Sequence, residues 1–254
     1  MSGRLTVIGL GPGDACWVTP QADAALATAQ AIYGYGAYLD QVPVRPGQAR
    51  YPSRNREEQA RAAAALGHAA KGADVAVVSG GDPGVFAMAA AVCAEIETGP
   101  PAWRELDVAI VPGITAMLAV AARVGAPLGH DFCALSLSDN LKPWELIERR
   151  LEAAAGAGFV IAIYNPVSRE RPWQLGAAFD RVCGLLPGST PVIFGRAIGR
   201  ADERVEVTTL GDARSIAADM ATLVIVGSAE TRIVARDGRT PLVYTPRAVE
   251  RAHT

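Results

Sequence analysis

The sequence predicts an α/β fold made of two α/β domains. One, over residues 1–126, carries a mainly parallel sheet; the other, over residues 127–254, carries a mixed sheet. Three observations lead there. The apolar, β-branched stretches Leu5 to Ile8, Val75 to Val78 and Val108 to Val111 each run straight into a loop of glycine and proline. Strand-like and helix-like segments alternate through the first half, as a parallel sheet covered on both faces requires. The pattern then stops at Gly125-Ala126-Pro127-Leu128-Gly129, an expected interdomain hinge, and starts afresh.

The elements follow in order. Leu5 to Ile8 reads as a buried strand ending in Gly9-Leu10-Gly11-Pro12-Gly13-Asp14. Pro20 to Ala31 is alanine-rich with helical spacing, and Ala31-Ile32-Tyr33 reads as the next strand, which completes a β-α-β start. Prolines and glycines between Gly36 and Asn55 predict a long loop. A helix from about Glu57 to Lys71 leads into the Val75 strand and Ser79-Gly80-Gly81-Asp82-Pro83-Gly84; Phe86 to Glu97 leads to the Val108 strand and Pro112-Gly113-Ile114-Thr115-Ala116. Ile114 to Val124 predicts a further helix.

In the second half, Phe132 to Leu137 predicts a strand, Trp144 to Ala155 a helix, and Phe159 to Tyr164 a strongly apolar strand. Further strands are expected at Pro191 to Phe194, Arg204 to Thr208 and Thr222 to Val226, with a helix before the last. Arg204-Val205-Glu206-Val207-Thr208 alternates as a strand with one wet face does. Glycine at the carboxyl ends of buried strands lets backbone approach a ligand, so the three glycine exits together predict the floor of a small-molecule site.

With 254 residues, half of them hydrophobic, the chain can bury substantial cores. A net charge of −2 supplies no long-range field for nucleic acid or an anionic membrane, and neither is expected as a partner. Cations are nearly all arginine, with Lys71 and Lys142 the exceptions. Cys16, Cys93, Cys133 and Cys183 lack the paired spacing of a zinc site, so no metal is expected and they read as reduced, buried thiols of a cytoplasmic protein. Met1-Ser2-Gly3-Arg4 leads directly into a strand without a signal-peptide pattern, and no apolar run approaches the ~20 residues of a membrane span.

Generic nucleotide motifs fit poorly. Gly9, Gly11 and Gly13 give G-x-G-x-G, with Pro12 where a dinucleotide fingerprint needs an open helix start. Tyr33-Gly34-Tyr35-Gly36 stands where an acidic ribose ligand belongs, which leaves a nucleotide-cofactor oxidoreductase as a weak alternative from another class. A P-loop is excluded because no loop ends in glycine-lysine-serine or threonine.

Four motifs in order carry a resemblance: Gly9-Leu10-Gly11-Pro12-Gly13-Asp14, Gly80-Gly81-Asp82-Pro83, Val111-Pro112-Gly113-Ile114-Thr115-Ala116 and Tyr164-Asn165-Pro166. With them the chain resembles the tetrapyrrole methylases, a two-domain family that binds S-adenosylmethionine in a cleft between its α/β domains. Gly125 to Phe132, Ser136 to Glu145 and Ala162 to Arg169 bring it nearest, within that family, to the precorrin-3B C(17)-methyltransferases of cobalamin biosynthesis. It departs in Ser79-Gly80-Gly81 and in Arg196-Ala197-Ile198-Gly199-Arg200, which lacks the asparagine usual there.

The resemblance implies methylation of precorrin-3B at ring carbon 17 with ring contraction to precorrin-4, S-adenosylhomocysteine as product, and a homodimer. A cobalt-containing substrate or another precorrin stays open. It implies donor contacts at Pro12, Gly80, Gly81, Asp82, Val85, Thr115 and Ala116, and at Tyr164, Ala197, Ala221 and Thr222 in the second half. Asp82 reads equally well as a helix N-cap before Pro83. Arg54, Ser138 and Asn165 are the candidate substrate contacts, Arg54 standing among loop arginines Arg45, Arg50, Arg56, Arg169 and Arg196 suited to carboxylate arms. His130, Asp139 and Lys142 are candidate proton handlers for the rearrangement, each with a structural alternative.

Overall fold

The structure is a computed structural model and describes residues 3–248. The chain divides into two compact units, Met1–Ala116 and Met117–Thr254. The division falls ahead of the expected position at 126/127 because the helix over residues 116–124 packs with strands of the second half. The Met117 N–H donates to the Tyr164 hydroxyl at 3.2 Å, and a Cβ on Gly195 would come within 2.8 Å of Val120 Cγ1.

The first unit holds strands β1 (Arg4–Gly9), β2 (Ala31–Tyr35), β3 (Ala49–Ser53), β4 (Asp74–Ser79) and β5 (Asp107–Val111) in the order β3-β2-β4-β1-β5, every neighbouring pair parallel. Helices α1 (Pro20–Thr28), α2 (Gly36–Leu39), α3 (Glu58–Ala69) and α4 (Met88–Thr98) connect them. Alternate residues of each strand serve opposite faces. Val7, Tyr33, Val75 and Val77 pack with Leu66 of α3 and Val92 of α4, whereas Ile8, Ile32, Ala76 and Val78 pack with Leu26 of α1 and Leu39 of α2. Burial on both faces is why these strands read as continuous apolar runs.

The region expected as loop, Gly36 to Asn55, contains α2 and β3. Arg50, Tyr51 and Pro52 hide a strand because β3 lies at the sheet edge, where Pro52 withholds no N–H that the ladder needs. α1 starts on Pro20 with Thr19 Oγ1 accepting from the Ala22 N–H at 3.1 Å, and it ends at Thr28 because Ala29 turns extended.

The second unit begins in helix α5 (Ala116–Val124) and holds β6 (Gly125–Ala126), β7 (Phe132–Ser136), α6 (Trp144–Gly156), β8 (Val160–Tyr164), α7 (Gln174–Cys183), β9 (Pro191–Arg196), β10 (Arg204–Thr209), β11 (Thr222–Val226), β12 (Arg232–Val234) and β13 (Leu242–Tyr244). Its larger sheet, β10-β9-β11-β8-β7, is mixed: β7 and β8 are parallel and the other neighbours antiparallel. Ile147 and Leu151 of α6, Phe179 and Val182 of α7, and Ile161, Ile163, Val192 and Val224 of the strands form its core.

Two expectations are corrected here, and one helix is added. Gly125 to Gly129 is no open hinge: β6 pairs with β13 in a second sheet, β12-β13-β6, and Thr245 Oγ1 donates to the Pro127 carbonyl at 2.6 Å. The helix expected before β11 is a single 3-10 turn, Ala213–Ser215, closed by Ser215 Oγ donating to the Asp212 carbonyl. A helix with no prior expectation, α7, buries Leu175, Ala178, Phe179 and Val182 at helical spacing.

All four cysteines are free thiols; Cys16, Cys93 and Cys183 are exposed and Cys133 is half-buried, contrary to the buried set expected. Burial pushes the Cys133 thiol pKa up. Among the described residues no helix is long and apolar enough to cross a membrane.

Candidate functional site

The carboxyl ends of β1, β4 and β5 lie side by side, because Gly9 stands opposite Ser79 and Ile8 opposite Val111. The loops that leave them are bonded through their backbones. The Gly81 N–H donates to the Gly11 carbonyl at 2.8 Å and the Gly11 N–H to the Gly81 carbonyl at 3.1 Å. A Cβ on Gly9 would stand 2.6 Å from the Gly113 nitrogen and 2.7 Å from the Gly81 carbonyl oxygen, and one on Gly113 would stand 2.9 Å from Gly9 Cα. Only glycine lets the three loops close to this distance. Gly11 and Gly81 also take the left-handed region, with φ of 76° and 64°.

Asp82 ties this floor together. Its Oδ1 accepts from the Gly84 N–H at 2.8 Å and its Oδ2 from the Gly113 N–H at 3.1 Å. α4 starts only at Met88 and is preceded by Ala87, so the N-cap reading of Asp82 is not what the backbone shows; the carboxylate closes its own turn and bridges the loops after β4 and β5. Pro12 and Val85 flank the floor half-buried, and Thr115 is buried at the end of the β5 loop. A Cβ on Gly81 would find nothing nearer than 3.8 Å, so space opens there, whereas Gly80 is closed off by the Tyr38 ring. Next in the chain, Phe86 is half-exposed and held at φ 53°, a left-handed value uncommon for a bulky side chain.

The second unit gathers its own expected residues. Ala197, directly after β9, adopts φ 50° and its N–H donates to the Ala221 carbonyl at 3.0 Å. Asp219 Oδ1 accepts from the Ala221 N–H at 2.9 Å and from Thr222 Oγ1 at 2.8 Å. Burial alone would raise the Asp219 pKa, but the bonds from Thr222, Arg196 and Ala221 outweigh it and hold the carboxyl below its ordinary value. Tyr164 ends β8 with its hydroxyl on the first turn of α5. Asn165 follows at φ 51° and its Nδ2 donates to Ser136 Oγ at 2.9 Å; the same oxygen accepts from the Ser138 N–H at 3.3 Å. Ser138 and Asn165 are thus brought together.

The candidate proton handlers separate by environment. Asp139 is half-buried and paired with Arg171, whose Nη1 also donates to Asn140 Oδ1 at 2.6 Å, so this carboxylate fastens one loop to another. His130 Nδ1 accepts from the Asp131 N–H at 2.6 Å, which engages it in its own turn. Burial, and then the nearby charge of Arg150, push the Lys142 ammonium below the usual lysine range.

The loop arginines separate too. Arg45 pairs with Asp23 at 2.8 Å, Arg50 donates to the Val42 carbonyl at 3.0 Å and to the Leu39 carbonyl, and Arg196 bonds Asp219 and Asp202. Arg54 and Arg169 are exposed. The Arg54 backbone is fixed, since its carbonyl accepts from Nη2 of the buried Arg61 at 2.8 Å and its N–H donates to Glu57 Oε2 at 2.8 Å. Sequence reasoning missed Arg171, Asp219 and the interlock at Gly113. Gly113 was visible in the Val-Pro-Gly run, while the arginine and the aspartate gave no local signal.

Among the described residues no cluster of histidine, cysteine and acidic side chains could hold a metal ion. Comparison with known proteins adds the lineage. Residues 4–214 match the family model described as tetrapyrrole (corrin/porphyrin) methylases. The chain is 63% identical over 247 residues, 97% of each chain, to precorrin-3B C(17)-methyltransferase of a Sinorhizobium species. It is 48% identical over 251 residues to the cobalamin biosynthesis protein CobIJ of Mycobacterium tuberculosis, covering 97% of this chain and 48% of that one. The crystal structure of the methyltransferase CobJ superposes with a TM-score of 0.90 at 46% identity, covering 96% of this chain and 100% of that one. A match of this extent, together with the glycine floor and the four ordered motifs, makes the chain a member of the tetrapyrrole (corrin/porphyrin) methylase family.

Proposed function

We propose that the protein transfers a methyl group from S-adenosylmethionine to carbon 17 of precorrin-3B, with contraction of the ring to precorrin-4. The observation that carries the reading is 63% identity across 97% of both chains to a precorrin-3B C(17)-methyltransferase. The floor supports it, because the space at Gly81 leaves bare backbone for a bulky nucleoside to approach.

The donor is a co-substrate that brings an electrophilic methyl on a sulfonium sulfur. As a nucleophilic ring carbon bonds that carbon, the carbon–sulfur bond breaks and neutral S-adenosylhomocysteine leaves. The chain's part is to fix the line of approach, and positioning of this kind lowers a barrier by ~7–11 kcal/mol in well-aligned cases. By family resemblance, donor contacts are proposed at Gly81, Asp82, Ala197, Ala221 and Thr222. Arg54 and the Ser138–Asn165 pair orient the tetrapyrrole, the arginine through a carboxylate arm. Of the candidate proton handlers Lys142 is best placed, since a depressed pKa brings an ammonium nearer to giving and taking a proton at neutral pH. Asp139, committed to Arg171, holds the loop that carries Lys142. The protein works as a homodimer, a reading that rests on family resemblance and is checked by light scattering; its cytoplasmic place rests on its unpaired cysteines.

Incubation with methyl-labelled donor and precorrin-3B, followed by mass spectrometry and carbon NMR, is expected to give a product labelled at carbon 17 with a contracted ring. Labelling only of a cobalt-containing ring would move the substrate to the cobalt series. Tight NADH binding without methyl turnover would return the oxidoreductase reading.

A further inference from the structure

Arg196 closes β9, opposite Thr222 of β11 on one side and Arg204 of β10 on the other. Its guanidinium reaches both neighbouring turns at once. Nε donates to Asp219 Oδ2 at 2.8 Å and Nη1 donates to Asp202 Oδ2 at 2.6 Å. Asp219 spends its other oxygen on the Ala221 N–H and Thr222 Oγ1, and its own N–H donates to Thr222 Oγ1 at 3.0 Å. The far end of the loop is held independently: Glu203 takes a two-pronged bond from Arg123, at 2.6 and 3.0 Å, and accepts from the Gly199 N–H at 2.7 Å.

Between these two ties sits Ala197 at φ 50°, bonded to the Ala221 carbonyl. An alanine stays in the left-handed region only where its surroundings over-determine it. Here they do so with charged groups on partly exposed side chains, the kind of ion pair that contributes little to stability by itself. The network's worth is therefore geometric. A lysine could not replace it, because the two acceptors meet separate N–H vectors of one planar fork.

We propose that Arg196 is a positioning residue for donor binding: by bridging Asp202 and Asp219 it holds Ala197 and the Ala221-Thr222 turn in the shape that receives S-adenosylmethionine. The inference rests on the reading that these three residues contact the donor, and it adds a residue that touches none of the reacting atoms.

The test is calorimetric titration with S-adenosylhomocysteine of the full chain and of Arg196→Gln, Arg196→Lys, Asp219→Asn and the Arg196→Gln/Asp219→Asn double variant, beside steady-state kinetics and thermal midpoints. Loss of one charge-assisted bond corresponds to roughly 10-fold or more in affinity. Kd for S-adenosylhomocysteine is expected to rise by about that factor in both Arg196 variants, with kcat at saturating donor and KM for the tetrapyrrole within about twofold of wild type. The double variant is expected to be no worse than the worse single one. An Arg196→Lys protein that binds like wild type overturns the proposal, as does a fall in kcat with Kd unchanged, the mark of a lost folded fraction. Asp202→Asn, which cuts one exposed arm, is expected to weaken binding less than Arg196→Gln; should the Arg196 variants fail to fold, unchanged binding by Asp202→Asn and Asp219→Asn overturns it. Wild-type protein that does not bind S-adenosylhomocysteine would remove the donor reading and this inference together, whereas binding that ignores Arg196 removes only the latter.

Discussion

Asp82 and Gly113 are joined across two loops by a single bond, the Gly113 N–H donating to the Asp82 carboxylate at 3.1 Å while the other oxygen closes the turn at Gly84. A hydrogen bond to a charged acceptor contributes ~1.5–3 kcal/mol, less when half-exposed. Asp82→Ala is expected to lower stability by ~1–2 kcal/mol and to weaken S-adenosylmethionine binding, read by denaturant midpoints and calorimetry. Loss of stability with undiminished affinity would confine Asp82 to the strut.

Gly113→Ala is expected to be much worse. Its methyl would stand 2.9 Å from Gly9 Cα and inside contact distance of the Gly81 carbonyl oxygen, and neither neighbour is a side chain that can swing away. Overpacking of this kind costs ~1–3 kcal/mol or more, and donor binding should disappear with it. Gly67→Ala is the control. Gly67 lies inside α3 with nothing within 4 Å of a new Cβ, so the substitution should stabilise by ~0.8–1 kcal/mol and leave turnover alone.

Asp219 makes stability depend on acid. Its folded pKa lies below the ordinary carboxylate value, so the stabilisation it carries is complete above the unfolded pKa and is lost as pH falls through the folded one. Asp219→Asn should therefore be less stable than wild type at neutral pH, with the gap closing below about pH 4. Chemical denaturation from pH 7 to pH 3 measures it; a constant gap would rule the ionised carboxylate out as the source.

Arg171→Ala releases Asp139 and Asn140 from the segment that follows β8. Turnover of the tetrapyrrole should fall by roughly tenfold, with S-adenosylhomocysteine affinity intact, since the arginine bonds none of the donor-side residues. Equal losses in both quantities would mean that the pair supports the whole unit.

Strand β1 and the loops at Gly11, Gly81 and Gly113 could be read from the chain because burial on two faces writes a continuous apolar run and a tight exit writes glycine. β3 could not, since an edge strand with Tyr51 and Pro52 satisfies neither rule. α7 was legible in the spacing of Leu175, Ala178, Phe179 and Val182, but Gly176 in its first turn disguises it. Asp82 stands in the second of the four motifs, whereas Ala197 and Thr222 are implied by the family resemblance alone. Partners such as Arg171 with Asp139 lie 32 positions apart and meet only through the fold, so no local pattern announces them.

Gly9 and Gly113 exclude side chains from one another and from the Gly81 carbonyl, backbone against backbone. No second substitution can make room for a first, because there is no neighbouring side chain to shrink. Neither position can accept a side chain while the backbones stay this close. Any retuning of this enzyme toward a different acceptor therefore has to come from residues outside this floor.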